Sequence, residues 1–285
     1  MTRKVSSLAS ATSLSALVMA LTVNAQAGTF QFFPFDNGVG RGKWTPAQQA
    51  QTLKEVGFDG IGYNYTTPAD IDVWQAELKS RGLKLFSIYI DGYPSKAPGM
   101  KEAIAKLKGT DTVIWLKILQ NKEKALRDEE VAKTVTEISD MAAEAGLKVV
   151  LYGHKGFYVA TAEDGLRIAE KVNRPNVGVT VNLCHELMAG NGDRIDEIIR
   201  KAAPRLMMVS INGADKDGKP DGYILTLDRG SFDVAHMLKT LQEVGYKGPV
   251  GLQCFSIKGD IRENLVRSLD AWKKMTATLE NKENK

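Results

Sequence analysis

The sequence predicts an α/β fold, a single-domain (β/α)8 TIM barrel, on three observations. Eight short apolar runs alternate along the chain with stretches of helical period. Several helical stretches end in a glycine directly before an apolar run, as at Gly57, Gly82, Gly146 and Gly245, and glycine ends a helix without a Cβ penalty. No linker or change of composition divides the chain. Eight alternating β/α units close into a barrel.

A doubly wound open sheet is the alternative for alternating strands and helices. In the dinucleotide-binding form of that fold, G-x-G-x-x-G follows an early strand. This sequence has no such motif there, so the barrel is favoured.

The predicted strands are apolar on both faces, as parallel strands buried between helices require. They are Phe30–Phe35, Phe58–Asn64, Lys84–Ile90, Thr112–Ile118, Lys148–Tyr152, Val177–Asn182, Leu206–Asn212 and Val250–Phe255. Helices are predicted between them, and Thr45 can cap the first through its side-chain oxygen. Examples are Pro46–Glu55, Asp128–Ala145, Ala162–Val172 and Phe232–Val244.

The first 27 residues have the pattern of a secretory signal peptide. Arg3 and Lys4 precede an apolar run from Leu14 to Val23, and small residues follow up to Ala27, where a signal peptidase cuts. The run is shorter than the ~20 residues of a membrane span. We therefore expect cleavage near Ala27, a mature domain over 28–285 without a membrane span, and a periplasmic or secreted protein.

Composition and charge exclude several classes of protein. Hydrophobic residues make up 43% and charged residues 25% of the chain, as in ordinary globular domains. The net charge is +4, and it falls further when Arg3 and Lys4 leave with the leader, so no nucleic acid is expected as partner. Cys184 and Cys254 lie in strand-like runs without a C-x-x-C pair, which favours two buried thiols.

Polar and aromatic side chains collect where the predicted strands end. Side chains alternate along a strand, and the catalytic groups of these barrels lie at the C-terminal strand ends. For strand two the alternation leaves Tyr63 and Asn64 open. Amides, hydroxyls and flat rings together suit a small polyhydroxylated ligand, a carbohydrate. The predicted substrate-binding residues are Tyr63, Asn64, Tyr89, Trp115, Asn182, Asn212, Gln253 and Phe255.

Four residues are candidates for catalysis. His154 and His185 follow strands five and six, and histidine transfers protons near neutral pH; His154 could instead cap a loop. Lys117 lies in an apolar run and either faces the pocket, as the cation opposite an oxyanion, or reaches solvent. Glu186 could orient His185, ligate a metal or cap the next helix.

Four segments carry a family resemblance: KEVGFDGIGY, AAEAGLKVVLYGHKG, NRPNVGVTVNLCHEL and VGYKGPVGLQ. With them, nearly the whole mature chain resembles the sugar phosphate isomerase/epimerase family, which has a xylose isomerase-like TIM barrel. The resemblance implies a barrel that handles sugars, often with a divalent metal (Mn, Mg or Zn) at the strand ends.

The sequence departs from that family's acidic pattern. The resemblance implies a Glu ending strand five, Asp-x-x-His ending strand six and a second Glu ending strand eight. Here those positions carry Tyr152, Asn182 and Gln253, and only His185 is retained. Hard divalent cations prefer charged oxygens, so a metal would have to rely on His154 and His185, and a mechanism with two glutamates is not expected.

These observations predict an exported sugar isomerase/epimerase-like enzyme that removes a proton next to the carbonyl of a sugar or glycoside derivative. Two alternatives remain: a non-catalytic carbohydrate-binding barrel that has lost the acids, and a 3-keto-glycoside eliminase or lyase. A nuclease of similar fold is disfavoured, because three histidines are few for its metal site. The oligomeric state stays open.

Overall fold

The computed structural model describes residues 30–121, 123–218 and 221–283. The signal peptide and the cleavage point predicted near Ala27 lie outside the described residues. In the described part, no helix combines the length and apolar character that a membrane span needs.

Eight parallel strands form the barrel, and each strand pairs with its neighbours in the sequence. The last strand also pairs with the first, and a parallel bridge between Phe35 and Gly62 joins the first strand to the second. The strands therefore close into a ring, and the predicted (β/α)8 fold is confirmed. The strands are β1 (Phe32–Pro34), β2 (Gly60–Asn64), β3 (Lys84–Tyr93), β4 (Val113–Ile118), β5 (Val149–Leu151), β6 (Val177–Asn182), β7 (Leu206–Ile211) and β8 (Val250–Leu252).

Helices surround the ring. They are α1 (Pro46–Val56), α2 (Pro68–Lys79), α3 (Met100–Lys106), α4 (Asp128–Glu144), α5 (Ala162–Val172), α6 (Leu183–Met188), α7 (Ile195–Ala202), α8 (Val234–Glu243) and α9 (Ile261–Glu283). Thr45, Thr67 and Thr161 begin three of them with capping boxes, which satisfy backbone N–H groups that the first turn leaves free. Helix α5 has the bounds predicted from the sequence.

Strands β1, β5 and β8 end earlier than predicted, and their next residues retain only half of a ladder. The backbone N–H groups of Phe35, Tyr152 and Gln253 each donate to one neighbouring strand, to Leu252, Leu116 and Ile211 respectively. The chain then turns into a loop. These three residues consequently stand at the rim of the barrel.

Aromatic rings occupy most of the barrel interior, together with Val113, Val150 and Met208. Phe33 stacks on Phe86 with ring centroids 4.6 Å apart, and Phe35 stacks on Trp115 at 4.9 Å. A Cβ atom at Gly62 would lie 2.9 Å from the Phe33 ring, closer than packed atoms allow. Glycine at this inward position thus makes room for the rings, which form a floor across the barrel.

Candidate active site

A cavity of about 220 Å³ lies above this floor, at the C-terminal ends of the strands; we call it the inner cavity. Of the residues predicted to bind or react with substrate, it brings together Asn64, Tyr89, His154, His185, Gln253 and Phe255. Its walls are completed by Phe35, Asn37, Arg41, Tyr152 and Ile224. Residues far apart in the sequence thus meet around one concave mouth.

A larger cavity, about 660 Å³, lies at the opposite end of the barrel. It is lined by residues where strands begin, such as Lys84, Thr112 and Lys148. The reacting groups of these barrels lie where strands end. The inner cavity is therefore the candidate active site, although it is the smaller of the two.

The two histidines of the inner cavity contact each other, with ring centroids 3.9 Å apart. His154 Nδ1 lies 2.8 Å from the carbonyl oxygen of Lys155. A carbonyl can only accept, so Nδ1 carries the proton and Nε2 of the neutral ring is left as the acceptor. The His154 ring also stacks on Phe157, with ring centroids 4.0 Å apart, which holds its orientation.

Burial keeps both rings neutral. Desolvation, with a smaller contribution from the charge of Lys117, lowers the pKa of His154 below its usual 6.5. Desolvation, followed by the neighbouring His154, lowers the pKa of His185 to about 3, and the Nδ1 atom of His185 is buried without a hydrogen-bond partner in the described structure. His154 is consequently the better proton acceptor, since a useful base titrates near the working pH.

Two amides at the cavity have fixed orientations. The Gln253 Oε1 accepts from the backbone N–H of Phe255 at 3.2 Å, and its Nε2 donates to the Tyr152 hydroxyl at 3.3 Å. Asn64 turns its amide nitrogen toward Asp36, which leaves its oxygen for the cavity. Gln253 therefore offers a donor and Asn64 an acceptor.

Lys117 lies behind the cavity wall. Its Nζ forms an ion pair with Asp91 at 2.7 Å and lies 4.5 Å from the ring centre of Tyr89. Tyr89 itself lines the cavity. The ammonium group therefore acts on the cavity as a nearby positive charge across one aromatic ring.

Three other residues that the sequence predicts to bind the substrate support the site but do not line the inner cavity. The Trp115 indole is buried and donates to the Thr180 hydroxyl. Asn182 donates to the Gly153 carbonyl at 3.2 Å. Asn212 donates to the carbonyls of Gly213 and Tyr223, which ties down the loop that carries Ile224.

Tyr63 and Glu186 point elsewhere. The Tyr63 hydroxyl donates to Asp70 at 3.2 Å, and its ring packs on Trp74 of α2, so Asn64 is the inward residue of β2. The carboxylate of Glu186 accepts from the backbone N–H of Ala162, at 2.7 Å, and from Asn191, at 2.6 Å. The Glu186 carboxylate thus caps the N-terminus of α5 rather than orienting the His185 ring.

The loop between β1 and α1 contributes residues that the sequence interpretation did not select. Asp36 is buried and binds Asn64, and Arg41 lies 3.8 Å from its carboxylate. Desolvation raises the pKa of Asp36. The available signal was a charged, glycine-rich segment, DNGVGRG, directly after the first strand.

The residues present do not fit a divalent metal. Within the described ranges, no group of three or more His, Cys, Asp or Glu side chains could hold one ion. The nearby acids already have cationic partners, Asp36 with Arg41 and Asp91 with Lys117. A hard cation would meet two neutral histidines and amides, and it would lack the charged oxygens that it prefers.

The family model described as xylose isomerase-like TIM barrel matches residues 50–275. The chain belongs to the xylose isomerase-like TIM barrel family. The resemblance predicted from the sequence is thereby confirmed.

Two of the relatives are named as an isomerase and an epimerase. An inosose isomerase of Halalkalibacterium halodurans is 29% identical over 175 residues, 55% of this chain and 61% of that protein. The chain thus matches about three fifths of the length of that relative. A ketose 3-epimerase of Arthrobacter globiformis is 26% identical over 253 residues, 80% of this chain and 83% of that protein.

Solved structures of the family share the fold. A D-allulose 3-epimerase from Methylomonas sp. superposes with a TM-score of 0.70 at 18% identity, over 86% of this chain and 98% of that chain. A 3-keto-D-glucoside 4-epimerase from E. coli superposes with a TM-score of 0.69 at 16% identity, over 86% and 99%. At such identities the likeness extends to the barrel alone.

The position of Glu186 can be tested through stability. Burial raises its pKa above the usual 4.5, so the carboxyl group favours the folded state while protonated, and that contribution is lost as pH rises through the folded-state pKa. We expect wild type to lose free energy of unfolding relative to Glu186→Gln as pH rises from 4.5. Urea unfolding over a pH series measures this difference.

The control is Glu163→Gln, in the first turn of α5, the helix that Glu186 caps. Hydrogen bonds from Lys201 and Arg194 lower the pKa of Glu163, so its contribution is present above its unfolded pKa and lost as pH falls. The two variants should therefore show opposite trends with pH. Equal trends in the two variants would contradict the capping role.

Proposed function

We propose that the protein removes a proton from the carbon next to a carbonyl group of a sugar or glycoside derivative, with His154 as the base. The observation that carries this proposal is the fixed tautomer of His154: Nδ1 donates to the Lys155 carbonyl, and Nε2 has no partner in the described structure. An oriented, neutral imidazole in a small cavity is what a general base requires. The sugar-directed names of the relatives support the substrate class.

The developing oxyanion needs a donor that is already in place. The Gln253 amide is held between the Phe255 N–H and the Tyr152 hydroxyl, so its N–H group requires no reorganisation. The positive charge of Lys117 behind Tyr89 favours the same anion. Asn64 and Arg41 also line the cavity and can bind hydroxyl groups.

The placement of the bases favours chemistry that uses one face of the substrate. His154 and His185 follow β5 and β6, opposite β1 and β2 in the ring. The cavity residues from β1, β2 and the loop after β1 are Phe35, Asn37, Arg41 and Asn64, and none of these transfers protons near neutral pH. Inversion at carbon needs proton carriers on both faces, whereas isomerisation or elimination needs one.

A non-catalytic carbohydrate-binding barrel is the second candidate. It is favoured by the neutral residues Tyr152, Asn182 and Gln253, which stand where the sequence resemblance implies acids. A ligand that binds without exchanging its α-hydrogen in D₂O would identify this function.

His154→Gln should lower the turnover number by about 10²–10⁴-fold, the usual contribution of a general base. The rate of deuterium incorporation from D₂O, followed by NMR with sugars and 3-keto-glycosides, measures the loss. His236→Gln is the matched control, because His236 lies on α8 and pairs with Asp196 away from the cavity. Equal rates in wild type and His154→Gln would refute the assignment.

The same base sets the pH profile. The pKa of His154 is lowered from 6.5, and the base must be unprotonated, so kcat/KM should be constant above pH 6.5 and fall only at lower pH. A fall that begins above pH 6.5 would point to another group.

Removal of divalent metal should leave turnover unchanged, because the donor set does not fit such an ion. The measurement compares the rate before and after dialysis against EDTA, followed by addition of Mn²⁺. A loss on dialysis that Mn²⁺ restores would contradict this expectation.

We further propose that the protein is exported after cleavage near Ala27, which the pattern of Arg3, Lys4 and the apolar run from Leu14 to Val23 supports. Expression of the full chain in a bacterium, followed by fractionation and mass measurement, should find a shortened protein in the periplasm or medium. An intact chain in the cytoplasm would contradict export.

A further inference from the structure

A third cavity, of about 230 Å³, adjoins the inner cavity; we call it the outer cavity. It is formed by the loop between β1 and α1 and by the loop between β8 and α9. The two cavities share three residues as a common wall, Asn37, Arg41 and Phe255. A ligand that passes this wall would occupy both.

Phe255 stands on the common wall and is 56% exposed. The other large apolar side chains exposed in the described residues are Val73 and Val266, both on outer helices. An aromatic ring exposed at the rim of a polar site offers a flat apolar face on which a ligand ring can stack. Phe255 is thus placed to contact a ligand from both cavities.

The backbone holds Phe255 in this position at a cost. The next residue, Ser256, has φ of +57°, in the left-handed region, which residues with a Cβ rarely adopt. Asn173, which also has a positive φ, caps the end of α5, where this conformation is ordinary. Strained loop residues that the surrounding structure maintains are frequent at ligand sites.

The volumes indicate the size of the ligand. Binding sites for small molecules enclose roughly 300–1,000 Å³. The inner cavity, about 220 Å³, falls below that range, and so does the outer cavity, about 230 Å³. Taken together they fall within it.

We propose that the site binds a two-ring glycoside, with the reacting sugar unit in the inner cavity beside His154 and the second ring in the outer cavity against Phe255. This inference rests on the proposed function and adds to it the size class of the substrate. The outer cavity suits a sugar ring, because Leu252 and Ile257 give it apolar walls while Asn264 and Arg41 give it polar ones. The Oδ1 atom of Asn37, buried without a partner in the described residues, is an acceptor at the junction for a ligand hydroxyl or a water.

Isothermal titration calorimetry with sugars that do not react tests the size class of the bound ligand independently of turnover. The probes are methyl α- and β-D-glucopyranoside as one-ring ligands, with cellobiose, maltose, sucrose and trehalose as two-ring ligands. At least one disaccharide should bind wild type more tightly than either methyl glucoside. Phe255→Ala should reduce that disaccharide affinity about threefold to tenfold, the range expected for one lost ring contact, and should reduce methyl glucoside affinity by a smaller factor, because a one-ring ligand meets Phe255 only from the inner cavity.

Two further variants complete the experiment. Phe255→Trp keeps a ring and should retain the preference for the disaccharide. Val266→Ala truncates an exposed apolar side chain on α9 and should change neither affinity.

The outcomes separate this inference from the proposed function. If no disaccharide binds better than the methyl glucosides, or if Phe255→Ala affects both classes equally, the two-ring site is refuted. Proton exchange that depends on His154 would then still support the proposed function. If exchange does not depend on His154 with any sugar, the proposed function fails, and this inference fails with it.

Discussion

The structure of the site depends on the aromatic rings that fill the barrel. Phe33, Phe86, Phe35 and Trp115 stack across the interior, and the fully buried Tyr152 meets Trp115 edge to face at 5.0 Å. These rings exclude water from below, so every group above them is desolvated on one side. That desolvation keeps the His154 and His185 rings neutral.

The second feature of the site is that its charges are paired or absent. The two acids near it are paired, Asp36 with Arg41 and Asp91 with Lys117. Asn182 and Gln253 are amides without charge, and the Tyr152 phenol is neutral as well, because burial raises its pKa. A cavity whose charges are balanced by such pairs binds uncharged, hydroxyl-rich molecules without first displacing a counter-ion. The same neutrality leaves His154 as the group that changes charge most readily near the working pH.

Much of the fold followed from short-range patterns in the sequence. The apolar runs locate the strands, and position at or just beyond a strand end places Tyr89, Gln253 and the two histidines at the correct end of the barrel. What could not be predicted depends on contacts between distant residues. Asn64 rather than Tyr63 points inward because Asp36 binds the Asn64 amide and the Tyr63 ring packs on Trp74. Glu186 caps α5 because its carboxylate accepts from the backbone N–H of Ala162. No local pattern encodes such partners.

The division of labour around the ring has a consequence for how such a protein can diversify. Proton transfer is proposed for the loops after β5 and β6, while Phe255, the residue proposed to sense ligand size, lies in the segment between β8 and α9. Exchanging residues 255–260 would therefore re-target the protein to other molecules while Gln253 and the imidazole pair stay in place. A single loop is then the unit on which selection or engineering would act.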